Sequence, residues 1–233
     1  MSSRFPPPKF PPVNKPPPEP KSGNALWRLE SWFPDLSEGV LKSLKTYHEE
    51  LLKFNAKVNL ISRSTEREAD EVHFADCVMA GQLLLQRPLP GKIFDIGSGN
   101  GLPGLVMAIM DSKCEYFLVE SDSRKAEFLK HIIHLLELKN ANVMNVRFES
   151  LRTAGVQVAL SRGFASISKT VLACNKVFNV GGQFFHLKGN NWSTEIAELP
   201  SQLISVWKPE LVGEYVLPTS QARRAVVSTQ KNM

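Results

Sequence analysis

The sequence predicts an α/β protein whose doubly wound sheet ends in antiparallel strands. Two observations favour this class. Between residues 92 and 189, apolar segments of strand length alternate with stretches of helical periodicity, which is typical of a parallel sheet covered by helices. After one short helix near 193–199, three strand-like segments then follow each other closely, which indicates an antiparallel edge.

A proline-rich segment precedes the part that we expect to fold. Residues 1–24 contain nine prolines, and proline lacks the N–H that hydrogen-bonded ladders need, so we expect a disordered tail. This segment carries four basic residues against one acidic residue, a charge of +3 within the net +5 of the chain. Only +2 is left for the rest, so any contact of the folded part with RNA has to come from local clusters of basic residues.

Several function classes lack support in the composition. No apolar run approaches the 18 residues of a membrane span, and the N-terminal segment has no apolar core of a secretory signal. Cys77, Cys114 and Cys174 are widely spaced and odd in number, which favours reduced thiols in a cytoplasmic protein and gives no zinc or redox spacing. We therefore expect no metal site.

A helical unit is predicted over residues 25–90. Asp35 and Glu38 are spaced as in a capping box, and apolar residues then follow helical spacing as far as Leu52. A second helical stretch covers residues 70–86, and Pro88 ends it.

The main domain is predicted over residues 91–233, and its elements follow in order. Helices are expected after Pro103, after Ser123 as a cap, and over 168–178. The predicted strands are KIFDI (92–96), CEYFLVE (114–120), NVMNVRF (142–148), VQVALS (156–161), GQFFHLKG (182–189), QLISVWKP (202–209), LVGEYVLP (211–218) and RAVVST (224–229).

The loop FDIGSGNGLPG (94–104) after the first strand admits two cofactors. Gly99, Gly101 and Gly104 match the dinucleotide fingerprint G-x-G-x-x-G. The alternative begins at Asp95 and uses Gly97, Ser98, Gly99 and Gly101, an acidic residue followed by glycines, as in loops that hold S-adenosylmethionine. A carboxylate suits a cationic donor but repels a diphosphate, and Pro103 removes one N–H that a diphosphate needs. The methyl-donor register is therefore favoured.

The next two strand ends agree with that register. Glu120 closes the second predicted strand, where an acidic residue typically accepts hydrogen bonds from ribose hydroxyls in sites for either cofactor, so it does not discriminate between them. Phe148 and Glu149 end the third, where an adenine ring finds a stacking partner. Together the three strand ends predict a Rossmann-like sheet that binds S-adenosylmethionine.

Six stretches give the chain a more specific resemblance. It resembles the bacterial small-subunit (16S) ribosomal RNA guanine-N7 methyltransferases, the glucose-inhibited division protein B family. The stretches are KFNAKVNLISR (53–63), HFADC (73–77), FDIGSGNGLPGL (94–105), ESDSRKAEFL (120–129), SRGFAS (161–166) and HLKG (186–189). The resemblance implies methyl transfer to N7 of a specific guanine in 16S rRNA, with that rRNA or the assembling small subunit as partner.

The resemblance also implies site residues. Cofactor contacts carry over to Gly97, Leu102, Glu120, Phe148, Glu149 and Arg162, with Asp95 in the same loop. The chain departs from the family where Asn100 replaces a usual proline, which is expected to loosen the loop, and in its C-terminal RRAVVSTQKNM. That departure leaves the roles of Arg223 and Arg224 open.

On the RNA side we expect Arg162 and Lys188 to position the substrate. The lone pair of guanine N7 needs no deprotonation, so no general base is expected. Alternative interpretations are a structural ion pair for Arg162 and a solvated turn lysine for Lys188. Asn59 is assigned to a base edge or to a helix cap, and Arg124 to a phosphate contact or to a solvated surface charge.

For the protein as a whole, we expect a monomer without membrane contact. For His73, we expect a packed residue rather than a ligand. Two other functions stay open at this point: a nicotinamide-dinucleotide oxidoreductase, and a catalytically inactive RNA-binding protein with the same fold.

Overall fold

The structure is a computed structural model that describes residues 25–153 and 155–232. The tail predicted over residues 1–24 lies outside the described residues. The α helices are α1 (Leu29–Trp32), α2 (Glu38–Val58), α3 (Asp76–Leu85), α4 (Gly104–Met110), α5 (Ser123–Leu135), α6 (Ile167–Cys174), α7 (Trp192–Ala197) and α8 (Ser201–Val206). The strands are β1 (Lys92–Ile96), β2 (Glu115–Val119), β3 (Ala141–Met144), β4 (Val156–Arg162), β5 (Phe178–Lys188), β6 (Trp207–Val216) and β7 (Arg223–Lys231).

The strands form one sheet in the order β3-β2-β1-β4-β5-β7-β6. The first five run parallel, and β7 pairs antiparallel with both β5 and β6. The prediction of a doubly wound α/β sheet with antiparallel final strands is confirmed. The chain order reverses beside β1, so the carboxyl ends of β1, β2 and β4 form the edge where such sheets bind ligands.

Helix α2 begins at a different residue from the predicted one. The side chain of Ser37, not Asp35, accepts the hydrogen bond from the N–H of Val40 and caps the helix. Similarly, Asp122 caps α5 by accepting from the N–H groups of Arg124 and Lys125, whereas Ser123 is the first helical residue. In both places two capping residues stand close together, and the sequence pattern does not show which one the chain turns at.

The predicted helical stretch 70–86 is helical, but not uniformly. It opens as a π-helix over Asp70–Ala75 and continues as α3. π-helical turns are rare and occur frequently at functional sites, because the extra residue per turn redirects side chains. This one lies beside the carboxyl end of β4.

One predicted strand is wrong. Residues 202–206 of the segment QLISVWKP belong to α8 (Ser201–Val206), and a single strand, β6, covers the rest of it and most of LVGEYVLP. The third strand is also shorter than predicted, because β3 stops at Met144.

The helices before residue 91 and the sheet share one hydrophobic cluster. Buried Tyr47 of α2 and Phe74 of the π-helix pack edge to face at 5.0 Å between ring centroids, and Tyr47 lies 6.3 Å from Phe128 of α5. These helices therefore stand beside the carboxyl edge of the sheet. The division into units at residue 90 stays a prediction.

Candidate active site

The glycine loop leaves β1 through three residues in the left-handed region. Gly97, Gly99 and Gly101 have φ values of 67°, 58° and 89°, which side chains rarely tolerate. The N–H groups of Gly97 and Ser98 both donate to the carbonyl of Val119 at 3.0 Å, so the loop is fastened to the end of β2.

Two cavities flank this loop and meet at Gly97. The larger has a volume of 650 Å³ and is lined on the loop side by Gly97, Ser98, Gly99, Asn100 and Leu102. The smaller has a volume of 170 Å³ and is lined by Gly97, Glu120, Phe148, Glu149 and Phe164. A Cβ atom on Gly97 would stand 2.6 Å from the Phe164 ring, so the loop needs glycine here for space as well as for φ.

Gly101 and Gly104 do not face either cavity. A Cβ atom on Gly101 would collide with the hydroxyl of Tyr47 at 2.7 Å and with Leu105 at 2.5 Å. The prediction that Gly101 faces the donor is therefore corrected, because α2 and α4 pack against it. Gly104 packs on Asp95 and Leu118 at the start of α4, where an added Cβ atom would have no space.

Asp95 holds the loop from behind. Only 2% of its surface is exposed, and its Oδ2 atom accepts from the hydroxyl of Ser98 at 2.6 Å and from the N–H of Gly104 at 3.0 Å. Burial raises the pKa of this carboxyl to about 6. These bonds leave only Oδ1 for the donor contact that the sequence predicted, so the position of Asp95 supports an anchoring role first.

Glu120 stands at the mouth of the smaller cavity and also orders backbone. Its Oε2 atom accepts from the N–H of Gly99 at 2.8 Å, and Oε1 accepts from the N–H of Asp122 at 2.7 Å. Each carboxylate oxygen has a second lone pair, so both can still accept from a ligand hydroxyl.

Phe148 and Glu149 belong to a different secondary-structure element from the predicted one. They do not end β3 but open a 3-10 helix, Phe148–Thr153, four residues after it. They nevertheless line the smaller cavity, where the Phe148 ring stands perpendicular to Phe164 at 5.4 Å.

Asn100 tightens the loop that it was expected to loosen. Its amide group donates to the carbonyl of Leu60 at 3.3 Å, and its side-chain oxygen accepts from the N–H of Leu102 at 3.2 Å. Its own carbonyl accepts from the hydroxyl of Tyr47. The loop is thereby tied to α2 and to the turn that follows it.

Arg162 ends β4 and lines the larger cavity. Its Nη1 donates to the carbonyl of Val72 at 3.1 Å and to Asp76 at 3.3 Å, and its Nη2 lies 3.0 Å from Nδ1 of His73. The structural ion pair and the cavity position, which stood as alternatives, are thus both present.

Lys188 ends β5 and faces the same cavity. Its Nζ donates to the carbonyl of Ala165 at 2.7 Å and pairs with Glu195 of α7 at 2.9 Å. Its side chain is only 14% exposed, so the solvated turn lysine is excluded. Glu195, which the sequence did not single out, fixes its direction and also accepts from the N–H of Ile167.

Asp76, which the sequence analysis did not single out, lines the larger cavity and joins α3 to three strands of the sheet. Its carboxylate pairs with Arg162, accepts from the hydroxyl of Tyr215 at 2.8 Å, and lies 3.7 Å from Nε of Arg224. The available signal was a charged residue inside the predicted apolar helix 70–86, within the stretch HFADC.

Two predicted RNA contacts lie outside both cavities. Asn59 is the C-cap of α2 in the left-handed conformation, with φ 54°, which agrees with the helix-cap alternative. Arg124 is 75% exposed at the start of α5, 3.6 Å from Asp122, while its neighbour Lys125 lines the larger cavity.

The geometry discriminates between the two cofactor registers. In the dinucleotide register the N–H groups at the start of α4 receive the diphosphate. Here Pro103 has no N–H, and the N–H of Gly104 is held by the Asp95 carboxylate. Glu120 and Glu149 outnumber Arg147, the one basic residue that lines the smaller cavity, and this excess of negative charge beside the loop suits a cation with ribose hydroxyls. The residues present fit S-adenosylmethionine and disfavour a dinucleotide.

The chain is similar to known rRNA-modifying enzymes along most of its length. Residues 40–214 match the family model GidB, rRNA small subunit methyltransferase G. Ribosomal RNA small subunit methyltransferase G 3 of Bdellovibrio bacteriovorus is 47% identical over 206 residues, which cover 88% of this chain and 93% of that protein. Ribosomal RNA small subunit methyltransferase G of Paracoccus denitrificans is 34% identical, over 72% of this chain and 84% of that protein.

Solved structures share the fold at low sequence identity. A mutant of MtNAS in complex with S-adenosylmethionine superposes with a TM-score of 0.56 at 14% identity, over 88% of this chain and 77% of that one. The YcgJ protein from Bacillus subtilis gives 0.51 at 11% identity, over 69% of this chain and 100% of that one. None of the helices in residues 25–153 and 155–232 combines the length and apolar character needed to cross a bilayer.

Proposed function

The chain belongs to the GidB family, rRNA small subunit methyltransferase G, and from this premise we propose that it transfers a methyl group from S-adenosylmethionine to N7 of a guanine in 16S rRNA. The observation that carries the proposal is the meeting of two cavities of different character at Gly97. Two carboxylates, two aromatic rings and one arginine, Arg147, line the smaller one, whereas four basic side chains and one carboxylate line the larger one.

The smaller cavity and the loop would hold the donor. Glu120 offers free lone pairs to ribose hydroxyls, Phe148 and Phe164 offer aromatic surface to the adenine, and Glu149 adds negative charge. When bound, S-adenosylmethionine supplies an electrophilic methyl group on a positively charged sulfur. The backbone of Gly97 and Gly99, free of side chains, borders the larger cavity where that methyl group has to be presented.

The larger cavity would receive the guanine. Four basic residues line it, namely Lys125, Arg162, Lys188 and Arg224, against one carboxylate, Asp76. This excess of positive charge attracts the RNA backbone, and a guanidinium plane also stacks on bases.

Positioning is the catalytic contribution that these residues can make. The N7 lone pair of guanine is nucleophilic without loss of a proton, so the cavity needs only to orient it towards the methyl group. Holding two reactants in line lowers a barrier by about 7–11 kcal/mol. Arg162 and Lys188, each fixed by internal bonds, are suited to this because little ordering remains to be done when the substrate binds.

Methyl transfer is tested with donor labelled in its methyl group. The protein is incubated with small-subunit RNA, or small-subunit particles, from cells that lack this modification, and N7-methylguanine is mapped. Label at one guanine is expected, and the absence of donor-dependent label at any guanine would refute the proposal. Lys188→Ala is expected to keep donor affinity and to lower methylation, because Lys188 lies on the acceptor side.

Arg87→Ala is the matched control for Lys188→Ala, because it also removes one positive charge. Arg87 is half-buried, has one ion pair with Glu210 at 3.5 Å, and lies outside both cavities. Its loss is expected to leave methylation unchanged. Equal losses in the two variants would show a general effect of charge and remove Lys188 from the site.

Two alternatives give different results in the same experiments. An oxidoreductase would be stabilised against heat by NAD and not by the methyl donor. An inactive RNA-binding protein would bind the donor or RNA and transfer nothing. The Asp95 bond to Gly104 opposes the first alternative.

We also propose that the protein acts in the cytoplasm, because its proposed substrate is ribosomal RNA, and that it acts as a monomer, because residues of a single chain wall both cavities. Light scattering in the presence of donor measures the mass. A stable dimer would contradict the proposal.

A further inference from the structure

We propose that His73 is a positioning residue, which holds the guanidinium of Arg162 towards the reaction cavity through one fixed tautomer of its ring. The proposal rests on the proposed function, since it concerns the acceptor side of the same site. It assigns a task to a histidine that lines the larger cavity.

Two sets of contacts hold the N-terminal end of the π-helix. The Arg28 side chain pairs with Asp70 at 2.8 Å, and Glu71 accepts from the N–H groups of Thr219 and Ser220 at 2.9 and 2.6 Å. Two residues after Glu71, His73 lines the larger cavity. The π-helix, a rare helical form, thus places the His73 imidazole against Arg162 at the end of β4.

Hydrogen-bond logic determines where the ring proton lies. Arg162 can only donate, so Nδ1 of His73, at 3.0 Å from Nη2, has to be the acceptor. A neutral ring then carries its proton on Nε2, which donates to Oγ1 of Thr65 at 3.0 Å. The Thr65 hydroxyl in turn donates to the carbonyl of Ser62 at 2.8 Å, so every group in the chain has one consistent role.

The charge state agrees with this assignment. Burial, followed by the positive charge of Arg162, lowers the pKa of His73 to about 3. The imidazole is therefore neutral at physiological pH, and Nδ1 keeps the lone pair that Arg162 needs.

The consequence is a guanidinium with defined free donors. Nη1 of Arg162 is used by Val72 and Asp76, and one hydrogen of Nη2 is used by His73. The Nε–H and the second Nη2–H have no partner among the described residues. These two donors, on a side chain that lines the cavity, remain for the substrate.

Packing alone does not account for His73. Its neighbour Phe74 is fully buried, against Tyr47 and Trp27, and so fills the core. His73 has polar partners for both ring nitrogens, whereas the buried His48 has no partner for Nε2. The two histidines beside Phe74 thus differ in kind, and only His73 reaches the site.

The test compares His73→Asn with His73→Gln. The asparagine oxygen can take the place of Nδ1 and accept from Arg162, whereas glutamine places its amide near the Nε2 position. We expect kcat to fall about 10²-fold in His73→Gln with little change in KM for RNA, because a misplaced group affects the oriented transition state. His73→Asn should recover most of kcat at the same melting temperature.

A second pair of variants changes Thr65, which does not line the cavity. Thr65→Val removes the acceptor of the Nε2 proton and should lower kcat, whereas Thr65→Ser keeps the hydroxyl and should not. Equal loss of activity in His73→Asn and His73→Gln, or no loss in either, would overturn the proposal.

The tautomer is measured without reference to activity. Nitrogen-15 spectra of the imidazole distinguish a ring protonated at Nε2 from one protonated at Nδ1. We expect the Nε2–H form in the wild type and in the donor complex, and an Nδ1–H ring would overturn the proposal. If the wild type transfers no methyl group to any RNA, the proposed function fails, while this spectrum still decides the tautomer.

Discussion

Replacing Gly104 by alanine is expected to weaken donor binding from a position that faces neither cavity. The new Cβ atom would stand 2.5 Å from Leu118 Cδ2, 2.6 Å from Asp95 Oδ2 and 2.8 Å from Asp95 Cβ. Such distances force the buried carboxyl away from the start of α4. The carboxyl holds the loop through Ser98, so its displacement reaches the donor side of the site.

The magnitude follows from two losses. Overpacking of a buried position costs roughly 1–3 kcal/mol. Breaking the Gly104 N–H bond to the Asp95 carboxyl adds about 1.5–3 kcal/mol. A total of about 2.5–6 kcal/mol corresponds to a fall in melting temperature of roughly 5–24 °C for a domain of this size.

Urea unfolding and donor titration calorimetry measure the two consequences. Gly39→Ala is the matched control, because Gly39 is exposed in the first turn of α2 with no atom within 4 Å of its added Cβ. That variant is expected to gain up to about 1 kcal/mol from helix propensity. If Gly104→Ala unfolded at the wild-type urea concentration and bound the donor normally, the interpretation of Asp95 as the anchor of the loop would be wrong.

Two more predictions concern buried carboxylates. Asp76→Ala leaves the Arg162 cation without its buried partner and removes the acceptor of Tyr215. It should lower the free energy of unfolding in urea by about 3–5 kcal/mol. A loss below about 1 kcal/mol would contradict the role of Asp76 as the residue that joins these side chains. Burial raises the folded-state pKa of Asp95 to about 6, above the ordinary 3.8, so ionisation of this group removes stability as pH rises through that window. The free energy of unfolding of Asp95→Asn, relative to that of the wild type, should therefore rise by up to about 3 kcal/mol between about pH 4 and 6. Parallel pH profiles of the two proteins would contradict this.

The parts of the fold that local patterns encode could be predicted. Apolar periodicity and turn residues gave the order of strands and helices, and Pro103 with Asp95 gave the register of the loop. The position of a helix cap could not be predicted, because the side chains of Asp35 and Ser37 can both accept a capping hydrogen bond and only the path of the chain selects between them. The segment 202–209 was misread because a short apolar run suits a strand and a helix equally.

The acceptor side of the site lies beyond such patterns. Arg162 meets His73 across 89 residues, and Tyr215 meets Asp76 across 139. No spacing rule connects residues so far apart, so these contacts form only when β4, β6, the π-helix and α3 pack together. Resemblance to the family found Arg162 but not the residues that hold it.

The place of β7 in the sheet has a consequence for shortened chains. Its nine residues pair with β5 on one side and β6 on the other. A premature stop or a proteolytic cut before Arg223 would not trim an outer strand but would open the sheet, with unpaired N–H and C=O groups along both former neighbours. Open strand edges template aggregation. A truncated product is therefore expected to be insoluble and cleared, rather than to persist as a weak enzyme that competes for ribosomal particles.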